Sequence, residues 1–456
     1  MPASKIATVA ELADHVTRGA HSHIKVGVFD IDGVMRSKYM SREKFLSALT
    51  DGFAFCDVVL GWDSDDSLYD NVAYTGWHTA YPDAAVHLAP ETVRLMPHEG
   101  GVPLVLGEFT GAAEAICPRG LLRRVLARAD SLGYGVKAGA EFEFFVFNET
   151  PDSVRAKHFR GLNTLTPGNF GYSMLRGGVH AELHADLLAF CEAVDLGVEG
   201  LHTETGPGVL EAALGVDEAL AAADKAALFK TLAKVFFQRR GLMATFMAKW
   251  SPSLPGSSGH LHTSLIDKAD GRGVFHDASQ PFGMSQAMRW YVGGQQRLMP
   301  ALLAMIACTV NSYARLTPGF WAPTSATWGY ENRTCALRVI GGSQTSQRVE
   351  YRIAAADINP YIALAAAIGS GLWGIENRIE PGAPVVGNAY ALAPDPALAL
   401  PRTLWEAAQA LRASTAAAAL FGEPFVDHYA STREWEERQA RKAVTDWQLG
   451  RYFEII

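Results

Sequence analysis

An α+β fold, in which a small β-rich module leads into a large mixed domain, is what the order of periodicities along this chain predicts. From Asp32-Gly33 to about Thr110 the sequence offers short apolar runs broken by Gly, Asp and Pro, and no long helical period. After Pro118, helical patterns recur over 119–132, 178–195, 217–240, 284–308, 359–376, 402–420 and 426–447. Strand-like runs lie between them at 135–147, 243–250, 259–266, 334–340 and 348–353. Several helices alternating with short strands argue for a large α+β domain whose sheet face carries the chemistry. Ahead of it, residues 8–19 read as a short helix and His23 to Asp32 as a strand closed by the turn at Asp32-Gly33. The Pro- and Ala-rich stretch 380–402 reads as an irregular surface loop, and no internal repeat is present. At 456 residues the chain exceeds one ordinary compact domain, so two or three domains, or one large enzyme domain with an accessory module, fit the length.

Composition narrows the classes. Hydrophobic residues make up 48% and charged residues 19%, the usage of a globular chain and not of a disordered or collagen-like one. The net charge of -8, with no concentrated basic patch, argues against nucleic acid as a partner. Arg123-Arg124 and the run from Arg438 to Lys442 have acids nearby and read as solvated helix faces. Five cysteines, Cys56, Cys117, Cys191, Cys308 and Cys335, are odd in number and contain no Cys-x-x-Cys pair, which points to free thiols. The N-terminus has no apolar signal core, and the apolar runs at 301–310 and 361–374 are too short for a bilayer, so no membrane partner and a cytoplasmic location are expected.

Two kinds of motif compete for the chemistry. Val28-Phe29-Asp30-Ile31-Asp32-Gly33 is an apolar strand ending in Asp-x-Asp-Gly. It resembles the nucleophile loop of haloacid-dehalogenase-type phosphatases, but those enzymes continue into a βα unit and this chain continues into a β-rich segment. The stronger signal is three pairs spaced i, i+2 in strand-like runs: Glu141 and Glu143, His260 and His262, Glu350 and Arg352. Residues two apart in a strand share a face, so each pair aims two polar groups at one surface while Phe142, Leu261 and Tyr351 face the other way. An ordinary solvated strand face explains one such pair. It does not readily explain three, one of them in a run of phenylalanines that must be buried, because buried carboxylates need a counter-charge or a metal.

Glu204 and Glu211 bracket a further turn and add two carboxylates. Carboxylates with an imidazole and no thiolate set suit Mg2+ or Mn2+ better than zinc. Arg315, Arg333, Arg338 and Arg352 offer the planar donors that carboxylate and phosphate oxygens require. With no P-loop, no dinucleotide-binding glycine motif and no zinc or serine-hydrolase motif, the residues point to metal-assisted phosphoryl transfer with the reaction type open.

From about Val26 to the C-terminus the chain resembles the glutamine synthetase family. The resemblance rests on the Glu-Phe-Glu-Phe-Phe strand, the Glu204 to Glu211 segment, Gly256-Ser-Ser-Gly-His-Leu-His and Asn311-Ser-Tyr-Ala-Arg-Leu-Thr-Pro-Gly. It continues through Trp328-Gly-Tyr-Glu-Asn-Arg-Thr, Glu350-Tyr-Arg and Asn359-Pro-Tyr. The stretch from Val444-Thr-Asp-Trp to Arg451-Tyr-Phe-Glu is similar to the γ-glutamyl-amine ligase branch.

The resemblance implies a β-grasp N-terminal domain (residues 1–112) and a catalytic α+β open barrel (113–456). It also implies a ring oligomer of the dodecamer type with active sites shared between neighbours. It assigns one metal ion to Glu143, Glu204 and Glu211 and the other to Glu141, His260 and Glu350. His262, Arg333, Arg338 and Arg352 would handle phosphates and the acyl phosphate, Ser264 and Arg338 the nucleotide, and Arg315 and Gly256 glutamate. Asp63, in Gly-Trp-Asp-Ser, would be lent to the neighbour's amine site. The implied reaction uses ATP to phosphorylate the γ-carboxylate of L-glutamate before a nitrogen nucleophile displaces phosphate.

Departures from the family pattern fall on the nucleophile. Where ammonia-using members read Pro-Gly-Tyr-Glu-Ala-Pro, this chain reads Pro318-Gly-Phe-Trp321-Ala-Pro323, so tryptophan replaces the flap glutamate. The glutamate loop reads Pro255-Gly-Ser-Ser-Gly-His260, and Val209 replaces a glutamine. Apolar surface at Phe320 and Trp321 suits a small organic amine that gives a γ-glutamylamide. The alternatives are an ammonia-using glutamine synthetase, disfavoured by Trp321, and a non-catalytic structural relative, disfavoured by retention of all six presumed metal ligands.

Overall fold

The computed structural model describes residues 6–393 and 395–456. Helix α1 (Val9–Arg18) starts where Thr8 and Glu11 cap one another, and its buried Leu12 and Val16 face the first sheet. That sheet comprises β1 (His23–Phe29), β2 (Met35–Ser41), β3 (Phe53–Cys56), β4 (Asp83–Met96) and β5 (Val102–Phe109) in the order β2-β1-β5-β4-β3. The β1–β2 hairpin is antiparallel and β5 returns parallel to β1, with a helix after the hairpin. The sequence pattern does not predict that helix, α2 (Arg42–Asp51). Its apolar signal is three residues, Phe45, Ala48 and Leu49, all buried, and Ser41 caps it; ten residues are too few to register as a long period.

The second sheet contains β6 (Tyr134–Phe147), β7 (Val198–Thr203), β8 (Val209–Leu214), β9 (Asp217–Glu218), β10 (Met243–Thr245), β11 (Gly259–Asp267), β12 (Trp328–Tyr330), β13 (Leu337–Ile340) and β14 (Arg348–Tyr351). Its main path runs β12-β13-β14-β11-β6-β8-β7, with β9 and β10 also pairing β6. Helices α3 (Pro118–Ser131), α4 (Ala219–Gln238), α5 (Gln286–Leu302) and α6 (Pro360–Asn377) pack behind it. Phe142 and Phe144 meet Phe229 of α4 and Phe246 there, while Leu261 and Tyr351 are fully buried, so the apolar partners in the i, i+2 pairs do face away from the polar ones. Helices α5 and α6 touch backbone to backbone: a Cβ on Gly294 would lie 2.5 Å from Gly374 Cα, a contact only glycine allows.

The Asp-x-Asp-Gly motif is a latch, and no nucleophile. Gly33 takes φ +76° against Asn359, which caps α6 and donates to the Asp30 carbonyl at 3.1 Å. Asp30 is buried and accepts from the N–H groups of Asp32 and Val34 and from Arg36. Burial and the neighbouring Asp32 push its carboxyl up to about 7. Asp32 pairs at 2.5 Å with the buried Arg433 of α7 (Glu423–Ala440), tying the first module to the C-terminal region. The main core is continuous across this junction, from Phe29, Leu104 and Leu106 into Leu121 and Phe142. The described residues of 380–402 are irregular apart from two 3-10 turns and an isolated bridge between Ala399 and Ser325, as expected. No helix among the described residues is long and apolar enough to cross a membrane, and all five cysteines are free.

Candidate functional site

Strand register assembles the site. Across the sheet, Arg338 on β13 stands opposite Glu350 on β14, which stands opposite His262 on β11. Two residues along, His260 faces Glu141 on β6, and Glu143 faces Glu211 on β8, itself opposite His202 on β7. Because side chains alternate along each strand, these groups project from one face into one space. A cavity of 530 Å³ lies there, and all six presumed metal ligands line it, as do Arg333, Arg338, Arg352, Gly256, Pro255, Phe320 and Trp321. A second cavity of 300 Å³ adjoins it at Glu141 and Ala213 and is lined by His262, Ser264 and Arg348. A larger void of 840 Å³ behind the 316–327 loop has mixed apolar and polar walls and, among the described residues, no cluster of carboxylates.

One end of the site is built on Glu350. Its Oε2 accepts from Arg338 at 3.1 Å and its Oε1 from Arg352, whose Nε donates to the Arg333 carbonyl at 3.1 Å. Donor atoms of Glu141, His262 and Glu350 lie within 4.8 Å of one another. His260, expected as the third ligand, sits between the two carboxylates with Nδ1 at 3.6 Å from Glu141 and 3.4 Å from Glu350. Its Nε2 is buried and has no hydrogen-bond partner among the described residues. Burial, with Arg352 nearby, lowers the His260 pKa, keeping the imidazole neutral, the form a metal requires. Burial opposes ionisation of Glu141, but hydrogen bonds to His260 and His262 hold it well below the usual range.

The other end is a carboxylate cluster. Burial, reinforced by Glu211, pushes Glu143 up to about 7, against a 2.6 Å hydrogen bond from the Ser258 N–H. Buried like charges without a counter-ion are unfavourable, and a hard divalent cation relieves them, so the donor set at both ends fits such an ion.

The remaining predicted residues divide. Gly256 is where a side chain would not fit: a Cβ would lie 2.5 Å from the Ala248 carbonyl and 2.7 Å from Arg315 Cγ. Arg315, on the short helix Val310–Arg315, is buried behind the wall, donating to the Ile353 carbonyl at 3.0 Å and Ser258 Oγ at 2.9 Å; it does not line the cavity. Val209 packs with Phe145 and Phe147 away from it. Asp63 lies in the first module, outside its own chain's cavity. Phe320 carries Lys249 Nζ 4.4 Å above its ring, and Trp321 stands 56% exposed with φ +59°, a left-handed conformation unusual for a bulky residue.

The sequence pattern does not single out two of the lining residues. His202 and Tyr172 stack at 4.4 Å beside Glu204 and Glu211. His202 forms an i, i+2 pair with Glu204, a signal obscured because 204–211 reads as a turn and its flanking strands β7 and β8 are only six residues each. Tyr172 is on a loop and carries no periodicity at all.

The family described as "Glutamine synthetase, catalytic domain" matches residues 115–452. The chain is 43% identical over 438 residues to type-1 glutamine synthetase 2 of Dictyostelium discoideum, covering 95% of this chain and 84% of that protein. It is 36% identical over 452 residues to glutamate–isopropylamine ligase of a Pseudomonas species, covering 98% of each. A solved structure described as apo GmaS without ligand superposes with a TM-score of 0.84 at 25% identity, covering 97% of this chain and 99% of that one.

Proposed function

The chain belongs to the glutamine synthetase family of ATP-dependent ligases, and from that premise we propose that its nucleophile is an organic amine, which it joins to the γ-carboxylate of L-glutamate. The observation that carries this reading is Trp321. An indole, and no carboxylate, projects from the flap into the cavity that holds the carboxylates and arginines. Ammonium needs an anion to hold and deprotonate it; an alkyl or aryl amine gains from apolar surface. A relative that matches over 98% of its length is named for isopropylamine, which agrees.

In this mechanism a γ-carboxylate oxygen of glutamate attacks the γ-phosphorus of ATP and ADP leaves. The amine nitrogen then attacks the acyl carbon, the C–O bond to phosphate breaks, and the proton the amine loses is taken up by the phosphate that leaves. Glu141, Glu350 and His260 would hold one divalent ion and Glu143, Glu204 and Glu211 the other. Bound Mg2+ or Mn2+ would supply charge neutralisation for the polyphosphate. Arg333, Arg338, Arg352 and His262 donate to phosphoryl oxygens; strand register places Arg338 and His262, Arg352 directly follows β14, and Arg352 Nε holds the Arg333 carbonyl, which limits reorganisation during transfer. Ser264 and Arg338 bind the nucleotide and Gly256 lines the glutamate subsite, which Arg315, with its donors spent on the Ile353 carbonyl and Ser258 behind the wall, buttresses without serving the α-carboxylate. Residues 1–112 form the N-terminal domain and 113–456 the catalytic one, and copies assemble as a dodecamer-type ring in which Asp63 serves the adjoining subunit's amine site.

The test is phosphate release with glutamate, ATP and Mg2+ against a panel of amines that includes ammonia. A higher kcat/KM for an organic amine than for ammonia is expected. A clear preference for ammonia would instead support a glutamine synthetase, the reading favoured by the 43% identity to an enzyme of that name.

A further inference from the structure

We infer that Trp435 is a positioning residue for the ligase reaction: its indole N–H fixes the Asp63 carboxylate in the orientation in which a ring neighbour would use it. The inference rests on the role of Asp63 stated above. Asp63 opens a tight turn in which its N–H donates to the Ser67 carbonyl at 2.9 Å. Its Oδ1 accepts from the N–H groups of Asp65 and Ser67, both at 2.9 Å. Such a turn needs only one carboxylate oxygen. The other, Oδ2, is held by Trp435 Nε1 at 2.9 Å. The terminal torsion of aspartate is soft, so a carboxylate tied at one oxygen swings, and a donor at the second oxygen stops it. Indole is a donor with no acceptor, so it can hold only the ionised or accepting side of the group.

Trp435 is itself held from several directions. Its ring lies edge-on to Tyr69 at 5.9 Å, and the Arg438 guanidinium stands 5.0 Å over it while pairing with Asp70. Helix α7 is also tied to the segment that follows this turn, through the 2.8 Å bond from Asn71 Nδ2 to the Ser431 carbonyl. Helix α7 therefore sets the geometry of an acidic group that lies some 370 positions earlier in the chain. None of these residues lines the cavity of its own chain, so their effect on the reaction would pass through Asp63 alone.

Trp435→Phe keeps an aromatic ring facing Tyr69 and removes the N–H together with the five-membered ring that bears it. In the full-length, assembled enzyme, kcat/KM for the best amine of the panel should fall about tenfold, a typical loss when a reacting group is misplaced. The KM values for ATP and glutamate should stay within about twofold, since the phosphoryl machinery is untouched. The double variant with Asp63→Asn should be no slower than Asp63→Asn alone, because both changes disable one unit. If Asp63→Asn lowers amine use but Trp435→Phe leaves it within about twofold, the positioning role is overturned and the reading of Asp63 survives. Fully additive losses would also overturn it, since Trp435 would then act through general stability. If Asp63→Asn itself has no effect, both fall. Trp435→3-benzothienylalanine, which replaces N–H by sulfur at constant shape, gives the same readout should the phenylalanine variant not assemble.

Discussion

Replacing Trp321 isolates the nucleophile from the rest of the reaction. The indole is 56% exposed in the single chain, so it offers one wall to an amine and does not enclose it. A buried methylene is worth about 0.8 kcal/mol, which puts a three-carbon substituent near 2.4 kcal/mol if fully enclosed and about 1 kcal/mol against one half-open wall. Trp321→Ala should therefore cut kcat/KM for such an amine about fivefold while leaving ammonia, which has no alkyl surface, nearly unchanged. Alanine occupies the same positive φ without new strain relief, so thermal stability should stay where it is. Trp321→Glu restores a group that can accept a proton from ammonium, and the amine-to-ammonia ratio should fall further. The assay is phosphate release with each nucleophile at saturating glutamate and ATP. A ratio unchanged in both variants would mean that Trp321 only packs the loop and that the amine sits elsewhere.

Three further outcomes follow from the same geometry. Glu211→Ala removes a carboxylate from the cluster around Glu143, and should abolish ligase activity and weaken Mg2+ or Mn2+ binding by calorimetry while circular dichroism is unchanged. Asp32→Ala strands the buried Arg433, and loss of one partner from a buried pair costs about 3–5 kcal/mol, read as a lower denaturant midpoint with little change in slope. His428 is buried beside Tyr74, and burial lowers its pKa to about 4. The unfolded chain binds that proton near 6.5 and the folded chain only near 4, so stability is full above pH 6.5 and is lost as pH falls toward 4. The loss is on the order of 3 kcal/mol, and His428→Phe should flatten the pH dependence of the unfolding free energy across that window.

Much of the site is legible in the sequence alone because a strand is a two-residue repeat. Glu141 with Glu143, His260 with His262, and Glu350 with Arg352 each declare a shared face, and the burial of Phe142, Leu261 and Tyr351 on the opposite face bears this out. What period alone cannot give is which strand neighbours which. The sequence of facing groups from Arg338 through Glu350 and His262, and from Glu143 to Glu211 and His202, depends on pairings between strands far apart in the chain. The same limit hides the meaning of Asp30 and Asp32: their partners Asn359 and Arg433 are over 300 residues away, so a local motif match points to a nucleophile where the fold has a latch. Arg315 shows the reverse case, a motif residue whose donors are spent on carbonyls and a serine behind the cavity wall.

The division of labour between strand and loop explains how a nucleophile could change while phosphoryl transfer is retained. Every presumed metal ligand except Glu204 sits within a strand of the second sheet, and Glu204 follows β7 directly. Their positions are set by ladder hydrogen bonds and by a continuous core, so moving one would disturb several strands at once. Phe320 and Trp321 sit instead on an exposed loop, with Gly319 at φ +85° and Trp321 at φ +59°, where substitution perturbs little else. A change at position 321 can therefore alter what the flap presents to the incoming nitrogen without shifting Glu350 or the arginines that hold it.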